Sequence, residues 1–129
     1  MDDNTLQDVG DILAKQAQAT FVYIADHLTE EGVFDVMYYS EKVLDDYDLR
    51  LLEQKIEMLL GVPTELNNLK ECDIVFISEL LNGAKLIYCS DEREKNRFLA
   101  NTAKKAELMR LEREIMLARL RESGVCYEN

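Results

Sequence analysis

A chain of 129 residues with 47% apolar and 32% charged side chains is sized for one domain with a real hydrophobic core. Its 26 acidic residues against 15 basic ones leave a net charge of −11, which repels phosphate backbones and argues against nucleic acid as a direct ligand. No apolar run approaches the roughly 20 residues needed to cross a bilayer, so no membrane partner is expected.

The charge is unevenly placed. Residues 1–84 carry 5 basic and 18 acidic side chains, a net of −13, whereas residues 85–129 carry 10 and 8, a net of +2. Such a body is either simply soluble or presents an acidic face to a basic partner. Cys72, Cys89 and Cys126 are odd in number, far apart and without C-x-x-C pairing, so neither a disulfide framework nor a zinc site is indicated. The first residues, MDDNTLQDVGD, are acidic where a secretory leader is basic and apolar. A cytoplasmic protein is expected.

In chain order, Asn4 or Thr5 can cap a first helix whose Leu6, Val9, Leu13 and Ala17 recur at helical spacing. Two β-branched and aromatic runs follow, Phe21–Ile24 and Val33–Tyr39, joined by the polar turn His27–Gly32. Their nearly continuous apolar character predicts central strands covered on both faces. The stretch VLDDYDLRLLEQKIEMLLG predicts a second helix with Leu52, Ile56, Leu59 and Leu60 as its apolar stripe. Gly61 is its stop. Beyond Pro63, Thr64–Leu69 alternates as a third strand, and about Glu71 to Leu81 is a helix ending at Asn82-Gly83. Lys85–Cys89 is a fourth strand. Ser90-Asp91 then caps a last helical pattern that runs to about Glu122, with Gly124 as its stop.

The order α-β-β-α-β-α-β-α predicts an α+β domain, a mixed sheet flanked by helices. The last helix is too long for it. Some 30 residues at 1.5 Å each span about 45 Å, more than a domain of this size needs. Its distal part carries Leu108, Leu111, Ile115 and Ala118 in 4/3 alternation, with Met109, Met116, Leu117 and Leu120 as a second apolar flank. A protruding helix with two apolar flanks wants a partner. The sequence therefore divides into residues 1–103 and a helical extension, 104–129, of the same domain.

Familiar catalytic motifs are missing: no Gly-rich phosphate loop, no G-x-S-x-G, no H-E-x-x-H. The single histidine, His27, could act as base or metal ligand, but a lone turn histidine is usually just solvated. Tyr23, Tyr38 and Tyr39 read as core and rim aromatics. What remains is carboxylates. Asp26 ends the first strand, Asp35 interrupts the second and Glu65 lies in the third. Acids on adjacent strands are how a two-Mg²⁺ phosphoryl-transfer site is built. Acids are also common here, so three near strand ends is weak evidence alone.

Taken together, these elements resemble the small nucleotidyltransferase-fold (polymerase-β-like) MNT proteins, and most closely the MntA-like antitoxins encoded beside HEPN-domain toxins. VYIADHLTEEGVFDVMYY stands where that family has Gly-Ser and Asp-x-Asp; LGVPTELNNL resembles the segment with the third acid. LNGAKLIYCSDEREKNRF and AELMRLEREIMLARLRESG resemble the closing strand and the C-terminal helix. By that resemblance Asp35 matches the second Asp and Glu65 the third acid. Two positions depart from it. Ala25-Asp26 replaces the Gly-Ser that cradles triphosphate, and Val33 replaces the first metal-binding Asp. An anion at Asp26 repels phosphate, and one missing bridging carboxylate leaves too little charge for two Mg²⁺.

The resemblance therefore implies an antitoxin-like pseudo-nucleotidyltransferase that neutralises a HEPN ribonuclease toxin without metal or nucleotide. Leu108, Leu111, Ile115, Met116, Leu117 and Leu120 are the expected partner-binding residues, with self-association through the same helix as the other use for them. The alternative is a divergent Mg-ATP-dependent protein adenylyltransferase using Asp26, Asp35 and Glu65.

Overall fold

A computed structural model of the chain describes residues 3–123; Gly124 as helix stop, and Cys126, lie outside them. Helix α1 (Asp3–Gln16) leads into strands β1 (Phe21–Ile24) and β2 (Phe34–Tyr39). Helix α2 (Asp46–Leu60), strand β3 (Thr64–Asn68), a 3-10 turn (Leu69–Glu71) and α3 (Ile74–Leu81) follow. Strand β4 (Lys85–Cys89) and α4 (Glu92–Glu122) close the chain. Every element expected from the sequence is present in the expected order.

The four strands form one mixed sheet in the order β3-β2-β1-β4. β1 is antiparallel to both β2 and β4, and β2 is parallel to β3 through the α2 crossover. The two runs that read as continuously apolar are the two central strands. Alternation sends their side chains to opposite faces. Val22, Ile24, Phe34, Val36 and Tyr38 pack under α1 and α2 with Leu6, Val9, Leu13, Leu52 and Ile56. Phe21, Met37 and Tyr39 pack with Leu69 and Ile77, and Phe98 from the first turns of α4 leans on them. Each face has its own core, so the middle of the sheet tolerates little polarity.

Local chemistry sets the boundaries. Asp45, Asp73 and Asp91 cap α2, α3 and α4 by accepting from the amides of Asp48, Phe76 and Glu94. Gly61 ends α2 in the left-handed conformation, at φ 75°. α1 crosses the sheet so closely that a Cβ on Gly10 would sit 2.9 Å from the Cβ of Tyr88, which only glycine avoids.

Four expectations shift. Asn4 and Thr5 lie inside α1, which already includes Asp3. β3 stops at Asn68 because its carboxamide oxygen accepts from the Ser40 and Lys70 amides and turns the chain into the 3-10 segment. α3 starts at Ile74 after its Asp73 cap, not near Glu71. In α2 the inward stripe is Leu49, Leu52, Ile56 and Leu60, while Leu59 is exposed. Period 3.6 allows either set; the position of the helix over the sheet chooses one.

Candidate functional site

The parallel pairing of β2 with β3 brings Asp35 opposite Glu65, and Phe34 opposite Thr64. Directly paired residues on neighbouring strands leave the same sheet face about 4.8 Å apart. That face also carries Met37 and Tyr39, but the cover from α3 and α4 sits over the Phe21–Tyr39 end. The acids occupy the other end, only part-covered. Burial pushes the Asp35 carboxyl above the usual carboxylate range. Glu65 is raised as well, first by burial and then by the charges of Asp35 and Glu53. Asp35 is thus half-buried and Glu65 exposed at a solvent rim, where the Asp35 charge adds to the upward shift of Glu65.

These shifts, caused first by burial, have a measurable sign. Both groups bind a proton more tightly in the folded state than in the unfolded one, so their charged forms oppose folding. Their contribution is most favourable below the ordinary carboxylate pKa and is lost as pH rises through the raised folded values. Asp35→Asn and Glu65→Gln are accordingly expected to raise the urea midpoint at pH 7. The gain should begin to shrink as the pH falls through the raised folded values and be gone below the ordinary carboxylate range, about 4. A midpoint that drops at neutral pH would show that the carboxylates hold the strand pair together instead.

Asp26 does not join them. It sits in the loop between β1 and β2, and its Oδ1 lies 2.5 Å from His27 Nδ1 with both side chains well exposed. Its other oxygen lies over Gly83, 3.1 Å from where a Cβ would be. The loop is closed by Ala25 N–H donating to the Asp35 carbonyl, by Thr29 N–H donating to the Val33 carbonyl at 2.8 Å, and by Val33 N–H donating to Thr29 Oγ1 at 3.1 Å. Val33 therefore lies in the loop just before β2, and the side chain it offers there ligates nothing. Among the described residues no three His, Cys, Asp or Glu side chains gather as a metal ion requires.

Sequence reasoning missed a second pair of acids with a clear task. Glu53 and Glu57, one turn apart on α2, accept from the Leu66 and Thr64 amides at 2.9 and 3.0 Å. They terminate the outer edge of β3 with carboxylates, which blocks pairing by another strand. The signal was an i, i+4 acidic pair on a helix leading by a short turn into a strand.

The distal part of α4 stands clear of the sheet. Thr102 is its last buried residue, and Leu108, Met109, Leu111, Ile115, Met116 and Leu117 are all exposed, from 40 to 63%. Arg110 forms ion pairs with Glu107 and Glu114 along the helix. Between α4 and α3, Met109, Met116, Ile74 and Val75 border a mostly apolar groove of about 510 Å³.

No protein-family model and no curated protein sequence matches the chain. Solved structures do. Tri-AMPylated HEPN toxin of Shewanella oneidensis in complex with MNT antitoxin gives a TM-score of 0.74 at 15% identity, over 94% of this chain and 99% of that chain. The toxin–antitoxin pair MntA–HepT gives 0.73 at 14% identity, over 93% and 99%. A toxin–antitoxin with AMP-PNP gives 0.72 at 13% identity, over 94% and 99%. The chain has the MNT nucleotidyltransferase fold. The MNT likeness extends over the four-stranded mixed sheet and the long closing helix. Within the MNT fold, the two acids that the sequence resemblance matched, Asp35 and Glu65, are the two that the sheet places side by side.

Proposed function

We propose that the chain is an antitoxin-like pseudo-nucleotidyltransferase that binds and neutralises a HEPN-type toxin by contact alone. The observation that carries the first half is the MNT fold over nearly the whole chain, in structures described as HEPN toxin with MNT antitoxin. The second half rests on the site. Val33 supplies no ligand, Ala25-Asp26 puts an anion where triphosphate would need a cradle, and Asp26 is engaged with His27. Residues from about 104 onward act as the interaction arm, with Leu108, Leu111, Ile115, Met116, Leu117 and Leu120 as its anchors. The acidic body, net −13 over residues 1–84, favours a basic face on the toxin.

The test is calorimetry of the purified chain with ATP and Mg²⁺, beside neutralisation in cells that co-express the toxin. No heat of binding is expected at micromolar ATP, and neutralisation should survive Asp35→Ala and Glu65→Ala. Low-micromolar ATP affinity, or loss of neutralisation by a folded Asp35→Ala variant, would sink the contact-only reading. The adjacency of Asp35 and Glu65 favours the second reading, a divergent adenylyltransferase that modifies the toxin with AMP from Mg-ATP. That enzyme would leave an AMP adduct on the toxin, which mass spectrometry detects directly.

A further inference from the structure

The two edges of the sheet are finished differently. β3 is closed by the Glu53 and Glu57 carboxylates on its amides. β4 is not. Among the described residues it has one hydrogen-bonded neighbour, β1. None of its five residues is fully buried, in contrast to the central strands. An open edge of this kind is a template for one more strand.

The open edge is also roofed. A groove of about 560 Å³ runs along all five residues, Lys85 to Cys89, and is walled on the other side by Asp3, Leu6, Gln7 and Asp11 of α1. The close approach at Gly10 seats α1 directly against Tyr88 of β4. Edge strand below and helix beside it is the arrangement in which an extended peptide adds to a sheet, its backbone supplying affinity and alternate side chains supplying selectivity. Asp3 and Asp11 form no ion pair among the described residues, they outnumber the one cation lining the groove, Lys85, and they project from a body with net charge −13.

We propose that β4 and α1 form a docking groove for an extended, basic segment of a partner protein, which pairs with β4 as a fifth strand. Its alternate Lys or Arg side chains meet Asp3 and Asp11 on the α1 side of the sheet, and the intervening small apolar ones turn to the opposite face, beside Leu86. The charge selects against a second copy of this chain, because pairing β4 with itself would bring two acidic α1 helices together. The groove is separate from the α4 arm, so it stands or falls independently of toxin binding.

The probes are three fluorescein-labelled peptides of alternating sequence: Lys-Val, the same peptide N-methylated at its valines, and Glu-Val. Each is titrated into the full chain by anisotropy, and amide exchange locates the bound peptide. The Lys-Val peptide is expected to bind and to protect amides within Lys85–Cys89. N-methylation should weaken it at least about tenfold, as expected from losing two or three ladder hydrogen bonds. The exposed pair Asp3→Asn with Asp11→Asn should weaken it severalfold while leaving the melting temperature in place. The Glu-Val peptide should not bind. The proposal is overturned if the N-methylated peptide binds equally well, which would signal diffuse attraction to the acidic body. It is equally overturned by absent protection in β4, by no binding up to roughly 1 mM, or by sedimentation showing two copies joined along this edge.

Discussion

Leu111→Glu with Ile115→Glu is expected to weaken toxin binding by about a thousandfold while the domain unfolds at an unchanged temperature. Both side chains are exposed on α4 beyond Thr102, the last residue of that helix to be buried. Leaving them in water forgoes about 1.5–3 kcal/mol each of apolar burial. A partner that covers them recovers that energy, and the loss of two central anchors costs roughly 4 kcal/mol, or a factor near 1,000 in Kd. The glutamates keep helix propensity, so the arm stays formed. Truncation after Ala103 is the companion experiment. It removes the arm entirely, and the sheet with its two cores should remain folded. If the double variant binds as tightly as the native chain, the arm is not the anchor. If the truncated chain unfolds, the arm belongs to the domain's own core.

Phe21→Ala is expected to be the most damaging single substitution to stability, at about 3–5 kcal/mol. Phe21 is fully buried on β1. Its ring stacks on Tyr39 with centroids 5.2 Å apart and planes 4° apart, and Phe98 lies 5.7 Å away. Tyr39 and Phe98 approach each other to 5.0 Å. These three rings join two strands to the first turns of α4, so the truncation leaves a cavity between layers and unties the base of the arm. Domains of this kind hold about 5–15 kcal/mol in total, and a loss of this size should lower the melting temperature by on the order of 10 °C or more. Urea unfolding gives the number directly. A cost below about 1 kcal/mol would mean that the cluster repacks around the gap.

The elements themselves were legible because each carries a local signal. Asp91 sits one residue before a helical period, Gly61 ends one, and the β-branched runs of β1 and β2 have no helical period at all; the Asp73 cap was not legible, and the pattern places α3 from about Glu71. The long last helix was legible for the same reason, and its unpartnered flanks followed from counting what a small sheet can cover. Asp35 and Glu65 stand out by the resemblance, together with Asp26 as acids of adjacent strands; their direct pairing comes only from the β2–β3 register.

What the chain order leaves open is which strands end at the edges and what finishes each edge. Hydrophobic period gives every strand two faces but no neighbours; pairing is a choice among distant segments. Only the tertiary structure puts β4 outermost beside α1, closes β3 with Glu53 and Glu57, and turns Leu59 outward while Leu60 turns in. It also separates Asp26 from the other two acids. All three end or interrupt strands in the sequence, but a loop carries Asp26 to His27, while the β2–β3 register holds Asp35 against Glu65. Local propensity fixes what each segment becomes, and long-range packing decides which charges must face one another.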